Sequence, residues 1–280
     1  MIIHSDWHIH TVFSYDAENT LDLLVERRGE QGLRYMGVTD HLNLNDNKFL
    51  GDMRASANGV NEKRKKYPFL VSGVELTPID RPTFDYIAAN GGVYGGYEPP
   101  LQDTPFPLDL PISKAELVAH GVRYAIGAAH WRVDVPRSVR KASFDLDATV
   151  REWYRQQLWM AQDERVTILG HPWYIGNDAW YEDFSVIPQS MKEDIAKALK
   201  ENGKYVECNS HFFLTKGASE KFRHQYAEYL RWMFEMGIPV TYGSDSHKNY
   251  WDARPRVEKY LIEVGFKDGD IAELAEKDLW

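Results

Sequence analysis

The sequence is nearly free of cysteine: Cys208 is the single one among 280 residues. One cysteine excludes an intrachain disulfide, and it excludes a metal site built from several thiolates. Because Cys208 lies within the apolar run 205–208, we expect it to be a small buried residue with no chemical role.

Long hydrophobic runs are also missing. No apolar segment approaches the roughly 20 residues that a helix needs to span a bilayer. The first residues show neither the basic region nor the apolar core of a secretory signal. With 43% hydrophobic residues the chain can still bury a substantial core. We therefore expect a cytoplasmic protein that does not associate with membranes.

The chain has fewer basic than acidic residues, 33 against 42, and a formal net charge of -9. The basic residues form no long run. Nucleic-acid binding depends on neutralising phosphates, so stable binding to nucleic acid is not expected. Bound metal ions are not counted in the formal net charge. A local positive site that attracts a small anionic metabolite is therefore compatible with the negative charge of the chain.

The pattern of apolar runs predicts an α/β fold. Short apolar strands alternate with amphipathic helices about seven times, which favours a parallel sheet closed into a barrel. Residues 1–3 and 84–89 are predicted as strands, and 271–277 as a helix. No glycine fingerprint of a dinucleotide fold and no linker interrupts the chain, so we predict one domain over 1–280. Two stretches, 90–111 and 172–188, predict long loops.

The first candidate site is the motif His8-x-His10. In an extended segment residues i and i+2 point to the same side, so the two imidazoles can face one metal ion. Two histidines on one strand face can equally be surface or core residues. Asp16, a few residues later, is a candidate oxygen ligand.

Further residues of this kind follow the other predicted strands, each at the point where a strand ends. The full set at strand ends is His8, His10, His41, Glu75, His130, His171, Asp245 and His247. The carboxyl ends of barrel strands open onto one face, so these side chains are expected to meet there. The remaining histidines lack this placement: His4, His120, His211 and His224.

The chemistry of this set predicts more than one metal ion. Imidazole and carboxylate without thiolate suit zinc, iron or manganese. Together with Asp16 the set is too large for one ion but reasonable for two or three. A carboxylate such as Glu75 can bridge two cations, and such ions can polarise a phosphoryl group and generate hydroxide from water.

In order along the chain, these motifs resemble the PHP (polymerase and histidinol phosphatase) family. The motifs are His8-x-His10 with Phe13-Ser14-x-Asp16, Thr39-Asp40-His41, Gly73-x-Glu75, His130, Gly170-His171 and Gly243-Ser244-Asp245-x-His247. The resemblance implies a distorted (β/α)7 TIM-like barrel with a trinuclear metal site at the C-terminal ends of its strands. It implies three ligand groups: His8, His10, Glu75 and Asp245; then Glu75, His130 and His171; then Asp16, His41 and His247.

Segments 124–130 and 206–210 resemble the histidinol-phosphatase-like branch of that family. The resemblance implies a metal-dependent phosphoesterase that hydrolyses a small phosphomonoester by attack of a metal-bridging hydroxide. Histidinol phosphate is the first substrate to test. The chain departs from the family at Trp131-Arg132 and at 172–174, beside two candidate ligands, which leaves the substrate open.

Other residues are candidates for contacting substrate, and each has an ordinary structural alternative. Arg132 and Arg254 could clamp a phosphate, or they could form surface ion pairs. Aromatic residues near 173 could stack on a planar group or simply pack under a loop: Trp173, Tyr174, Trp180 and Tyr181. Asn209 and His211 could line the mouth, with His211 as a proton donor or a plain surface residue. Catalytic roles are therefore expected for Glu75, His211 and Arg132.

Two other functions remain open. An amidohydrolase-like enzyme also begins with His-x-His, but many of these enzymes bridge their metals with a modified lysine at a strand end, where this chain has Glu75. A metal-binding module without catalysis would serve a partner protein, although such a module has no need of nine intact ligands.

Overall fold

The structure is a computed structural model that describes residues 1–142, 144–175 and 183–280. The strands in these ranges are β1 (Asp6–Ile9), β2 (Met36–Val38), β3 (His41–Leu42), β4 (Leu70–Leu76), β5 (Ile79–Asp80), β6 (Leu108–Asp109), β7 (Tyr124–Gly127), β8 (Ile168–Leu169), β9 (Tyr205–Asn209) and β10 (Val240–Gly243). The helices are α1 (Leu21–Gln31), α2 (Asn47–Arg64), α3 (Arg81–Ala89), α4 (Lys114–Ala119), α5 (Arg137–Ala142), α6 (Leu146–Gln162), α7 (Gln189–Glu201), α8 (Ser210–Phe213), α9 (Glu220–Glu235) and α10 (Arg254–Glu263).

Seven parallel strands form the central sheet in the order β1-β2-β4-β7-β8-β9-β10. The two-residue strand β3 extends this sheet beside the end of β4, where His41 pairs with Glu75. The sheet nearly closes because the ends of β10 and β1 meet: Asp245 N–H donates to His8 O at 2.7 Å, and His10 N–H donates to Ser246 O at 3.0 Å. The prediction of a distorted (β/α)7 TIM-like barrel is confirmed.

Two apolar layers hold the barrel together. The larger lies between the strands and the surrounding helices, where Leu169 and Val206 belong to the same cluster as Leu230 of α9. A second cluster gathers alternate residues from strands across the sheet: Trp7, Val71, Tyr124, Ile126 and Ile168, with Tyr205 and Leu274. Cys208 is fully buried in the first layer, as predicted.

Tyr124 explains why two neighbouring strands carry glycine. Its hydroxyl donates to Trp7 O at 2.6 Å, and its ring therefore crosses β2 and β4 at close range. A Cβ at Gly37 would lie 1.8 Å from the Tyr124 oxygen, and one at Gly73 would lie 2.6 Å from the ring. Only glycine leaves room for this tyrosine.

Three local predictions were wrong. Residues 84–89 belong to α3 rather than a strand, because Asp80 accepts from Thr83 N–H as a helix N-cap and a proline lies in the first turn. Residues 1–3 precede β1, and the N–H groups of Ile2 and Ile3 donate to the Glu258 carboxylate, each at 2.8 Å.

The third is the helix predicted over 271–277. Here the chain is extended, since Ile271 bridges Val240 and the Ala272 N–H donates to Val240 O at 2.7 Å. A single 3-10 turn follows at Glu276–Asp278. The segment thus adds to the rim of the sheet beside β10.

The predicted loop after α3 is present: residues 90–107 contain neither helix nor strand. The Tyr97 ring stacks on Tyr86 of α3 at 4.1 Å, and the Glu98 carboxylate accepts from the Ser138 N–H and hydroxyl. The second predicted loop is described at 172–175 and 183–188, with a 3-10 turn at Phe184–Val186. Among the described residues, no helix has the length and hydrophobicity that crossing a membrane requires.

We predict that Gly37→Ala destabilises the protein by about 1–3 kcal/mol, since the new methyl group overlaps the Tyr124 hydroxyl. Gly29→Ala, in α1 with no atom within 4 Å of the added Cβ, should raise the free energy of unfolding by about 0.5–1 kcal/mol. Urea unfolding of both variants measures these changes in the free energy of unfolding. Equal stability of Gly37→Ala and wild type would contradict the packing described.

Candidate metal centre

The carboxyl ends of the barrel strands bring all the predicted metal-binding residues to one place. Each member comes from a strand or from the residues directly after it: His8 and His10 (β1), Asp16 in the following loop, His41 (β3), Glu75 (β4), His130 (after β7), His171 (after β8), and Asp245 and His247 (after β10). Parallel strands place these ends on one face, which explains why residues far apart in sequence meet.

Glu75 lies at the centre of the cluster and is fully buried. Its two oxygens face different imidazoles. Oε1 lies 3.0 Å from His171 Nε2, 3.3 Å from His130 Nε2 and 3.5 Å from His8 Nε2. Oε2 lies 2.7 Å from His41 Nδ1 and 3.5 Å from His10 Nε2. A carboxylate with imidazoles on both oxygens has the arrangement of a bridge between two cations.

The residues of the first predicted ligand group lie together. His8 Nε2 and His10 Nε2 are 3.0 Å apart, and Asp245 Oδ1 lies 3.2 Å from His10 Nε2 and 3.7 Å from His8 Nε2. His8, His10 and Glu75 can each direct one ligand atom to a shared point.

The residues of the third predicted group, Asp16, His41 and His247, also lie together, and we call them the outer group. Asp16 lies 3.6 Å from His41 Nε2 and 3.7 Å from His247 Nε2, and these two nitrogens are 3.4 Å apart. His10 approaches the same point, since its ring centroid is 4.2 Å from both the His41 and the His247 rings. Asp16 is the more exposed partner, with 37% of its side chain accessible.

Glu207 is a member of the site that sequence reasoning missed. From β9, its buried carboxylate accepts from His8 Nδ1 at 2.6 Å, from His171 N–H at 2.6 Å and from the Asn209 amide at 3.1 Å. A Cβ at Gly243 would lie 2.0 Å from Glu207 Oε1, so the neighbouring strand must be glycine there. The available signal was one acidic residue inside the otherwise apolar run 205–208.

Hydrogen bonds to fixed acceptors show which ring nitrogen carries the proton in three of the histidines. In each case Nδ1 has a fixed acceptor: Glu207 for His8, Thr77 Oγ1 at 2.8 Å for His130, and the Asp245 backbone carbonyl at 2.9 Å for His247. The Thr77 hydroxyl proton goes to Asn43, which leaves its oxygen as the acceptor. With the proton on Nδ1, the lone pair of Nε2 points into the cluster, as in metal-binding histidines.

Asp40 is the second residue that sequence reasoning left without a role. Its buried carboxylate accepts from Thr11 N–H, from the Thr11 hydroxyl, and from the Ser14 and Ser56 hydroxyls, at 2.6–2.8 Å. The Ser14 oxygen lies 3.2 Å from His10 Nδ1, so this network fixes the turn after β1 and the ring of His10 together.

Two candidate ligands have left-handed backbone conformations, His171 with φ 23° and Asp245 with φ 55°. Such conformations cost about 1–3 kcal/mol for residues other than glycine and occur mostly at functional sites. Both are held by strong contacts: His171 N–H donates to Glu207, and Asp245 N–H donates to His8 O.

Burial alone would lower the pKa of His8, His41 and His171, but nearby carboxylates, Glu207 for His8 and Glu75 for the other two, raise it. Burial alone would raise the pKa of Glu75, but the surrounding imidazoles, His130 first, hold the pKa well below its usual range. Burial, followed by the nearby charge of His41, lowers the pKa of His10 to about 3. Glu75 Oε2 and His41 Nδ1 lie 2.7 Å apart without hydrogen-bond geometry, and both are otherwise unpartnered among the described residues. Ligand atoms that face one another in this way fit metal ions.

Three of the predicted substrate contacts are wrong, and Arg254 and Trp173 are the first two. The Arg254 guanidinium is buried and donates to Asp252, Ile3 O and Gln31 O, so it lies beside the segment before β1, away from the strand ends that form the site. Trp173 is fully buried and cannot stack on a ligand. Trp180 and Tyr181, predicted to join it, lie outside the described residues.

The remaining candidates occupy different places. Asn209 is buried, and its amide donates to Glu207 and, at 3.2 Å, to Asp245, so the prediction that it contacts substrate is also wrong and it instead holds these carboxylates. Arg132 forms a two-pronged ion pair with Asp134 at 2.6 and 2.9 Å, the ordinary alternative considered for it. Exposed His211 lies at the mouth, 6.2 Å from the His247 ring, where both line a cavity of about 560 Å³.

A barrel with imidazoles and carboxylates gathered at its strand ends defines the class of a metal-dependent enzyme of the TIM-barrel type. The family model of the PHP domain matches residues 6–211, which includes seven of the nine candidate ligands, all except Asp245 and His247. The chain belongs to the PHP domain family.

Two proteins named as probable phosphatases are similar to most of the chain. The chain is 24% identical over 260 residues to a probable phosphatase of Acetivibrio thermocellus, covering 92% of this chain and 86% of that protein. It is 25% identical over 263 residues to a probable phosphatase of Caldicellulosiruptor saccharolyticus, covering 94% and 88%.

Among solved structures, the fold is similar to histidinol phosphate phosphatase of Lactococcus lactis in complex with zinc, L-histidinol and phosphate. The TM-score is 0.66 at 18% identity, and the alignment covers 99% of this chain and 98% of that one. At this identity the likeness establishes the shared barrel.

We predict that Glu207→Gln weakens metal affinity about 10–100-fold, since the amide cannot hold the His8 proton and the His171 N–H as the carboxylate does. Calorimetric titration of the metal-free protein with Zn²⁺ or Mn²⁺ measures the change. Glu201→Gln, an exposed change at the end of α7, is the control. Unchanged affinity of Glu207→Gln would refute the role assigned to this carboxylate.

Proposed function

We propose that the protein is a metal-dependent phosphoesterase that hydrolyses a small phosphomonoester. The observation that carries the proposal is the position of Glu75 between two sets of imidazoles, His8, His130 and His171 on one oxygen and His10 and His41 on the other. The names of the two probable phosphatases and of the histidinol phosphate phosphatase support it.

The residues would hold two or three divalent ions of zinc, iron or manganese. Such ions, when bound, lower the pKa of water and polarise the oxygens of a phosphoryl group. The chain itself fixes the geometry: Glu75 spaces the two sets of imidazoles, and Glu207 keeps the His8 proton on Nδ1. The outer group around Asp16 is the most accessible part of the centre, so we place the substrate phosphate on that side.

Positive side chains next to the outer group support an anionic substrate. The cavity that contains Asp245 and His247 is also lined by His211, Lys216 and Lys248. Lys248 is paired with Glu18, whereas Lys216 forms no ion pair within the described ranges. We propose that the Lys216 ammonium attracts the phosphate group of the substrate. Arg132 would contact the phosphate as well only if its ion pair with Asp134 broke.

We assign His211 the delivery of a proton to the leaving oxygen. The ring is exposed at the mouth, with its centroid 6.1 Å from Tyr174 and 6.2 Å from His247. From there it can reach an ester oxygen on the outer side of the centre directly or through one water molecule.

The test is a panel of phosphate esters with metal-loaded protein, beginning with histidinol phosphate and continuing with nucleoside monophosphates and cyclic nucleotides. We expect release of phosphate from at least one monoester, and a loss of more than about 100-fold in His8→Ala because the first ligand group loses a member that also faces Glu75. His224→Ala, a change on α9 where the imidazole pairs with Glu263 of α10, is the matched control.

Two results would contradict the proposal. One is a metal-loaded protein that hydrolyses no phosphoester of the panel. The other is a His8→Ala variant that keeps both its metal content and its activity. Cleavage of amide substrates instead of phosphoesters would favour the amidohydrolase alternative.

A further inference from the structure

A second cavity, of about 390 Å³, lies beside the metal centre. It is enclosed by the loop at 90–107 on one side and by the segment that follows His130 on the other. Aromatic side chains form much of its lining: Tyr15, Phe49, Tyr94, Tyr97 and Trp131. None of the predicted site residues accounts for it.

Two of these rings connect the cavity to the candidate ligands. The Tyr15 ring stacks on the His41 ring, with centroids 5.6 Å apart and planes at 27°. The Trp131 ring lies 5.9 Å from the His130 ring. An organic group attached to a phosphate at the metal centre would therefore enter the cavity between Tyr15 and Trp131, where flat rings favour a planar group.

Two arginines also line the cavity, Arg137 and Arg140. The Arg140 guanidinium lies 5.5 Å from the centre of the Trp131 ring and donates to Arg132 O at 2.6 Å. Within the described ranges, neither arginine forms an ion pair with a carboxylate, and Asp80 and Glu98, which line the same cavity, act on Arg140 from more than 4 Å. Burial lowers the pKa of Arg140, and Tyr94 and the carboxylates of Asp80 and Glu98 offset this only in part. Arg137 is exposed and Arg140 is half-buried, so both guanidinium groups remain accessible to an anionic ligand in the cavity.

The acidic residues of the cavity are already engaged. Asp80 accepts from Thr83 N–H at 2.8 Å and from its hydroxyl at 2.9 Å, as the N-cap of α3. Glu98 accepts from Ser138 N–H at 3.2 Å and from its hydroxyl at 2.6 Å. The cavity thus offers guanidinium donors to a ligand, while its carboxylates already accept hydrogen bonds from backbone N–H and hydroxyl groups of the protein.

We propose that this cavity holds the leaving group of the substrate and that Arg137 and Arg140 bind a second oxyanion, a carboxylate or a phosphate, carried on a planar ring. The inference rests on the proposed phosphoesterase function. Guanidinium groups match both oxyanions through paired N–H donors. A substrate with an ammonium group in this place, such as histidinol phosphate, would be disfavoured by the two arginines.

The kinetic test compares 4-carboxyphenyl phosphate with its neutral counterpart, 4-carbamoylphenyl phosphate, and adds 1,4-phenylene bisphosphate as the phosphate arm. We expect wild type to favour an anionic substrate in kcat/KM by about 10–100-fold, as charged hydrogen bonds allow. Arg140→Gln and Arg137→Gln should bring the ratio close to one. Lys141→Gln, an exposed change on the same helix that does not line the cavity, should keep it.

A binding test separates this inference from the proposed function. The corresponding phosphonates have no ester bond to hydrolyse, so calorimetry with metal-loaded protein measures recognition alone. Tighter binding of 4-carboxyphenylphosphonate than of the carbamoyl compound, lost in Arg140→Gln, supports the cavity even if no ester is hydrolysed. Hydrolysis without any preference for the anionic esters, or equal binding of both phosphonates, overturns it. A preference limited to the bisphosphate identifies phosphate as the second group.

Discussion

One buried carboxylate constrains the whole site. Glu75 stands within 3.5 Å of imidazole nitrogens from five histidines, which come from four separate segments of the barrel. A buried carboxylate surrounded in this way requires positive charge, from protonated imidazoles or from metal ions. Metal ions satisfy both the carboxylate and the Nε2 lone pairs, which is why this arrangement fits a multinuclear centre.

The barrel holds this arrangement through contacts outside the cluster. Glu207 and Asp40 supply buried acceptors that fix the imidazoles and the turn after β1. Gly243 leaves room for Glu207, and the left-handed conformations of His171 and Asp245 aim their side chains inward. The same strand ends open into two cavities of different character, one with lysine and histidine and one with aromatic rings and arginine. The first suits a phosphate and the second suits the group attached to it.

The alternation of strands and helices predicted the barrel. The candidate ligands could be predicted because parallel strands end on a common face, so residues directly after them meet. That rule does not apply to Arg254 and Trp173. Both are near a ligand in sequence, but the backbone turns their side chains into the protein. Glu207 was missed because a carboxylate inside an apolar strand reveals its partners only once the neighbouring strand is known. Residues 84–89 were misassigned because the cap of Asp80 outweighed the apolar pattern.

The most direct test of the central claim is the metal content of a Glu75→Gln variant, measured by plasma mass spectrometry after loading and desalting. If Glu75 bridges ions, this single change should remove more than one metal ion per chain, whereas Asp16→Asn, at the outer rim, should remove at most one. Full metal content in Glu75→Gln would contradict a bridging role for this carboxylate.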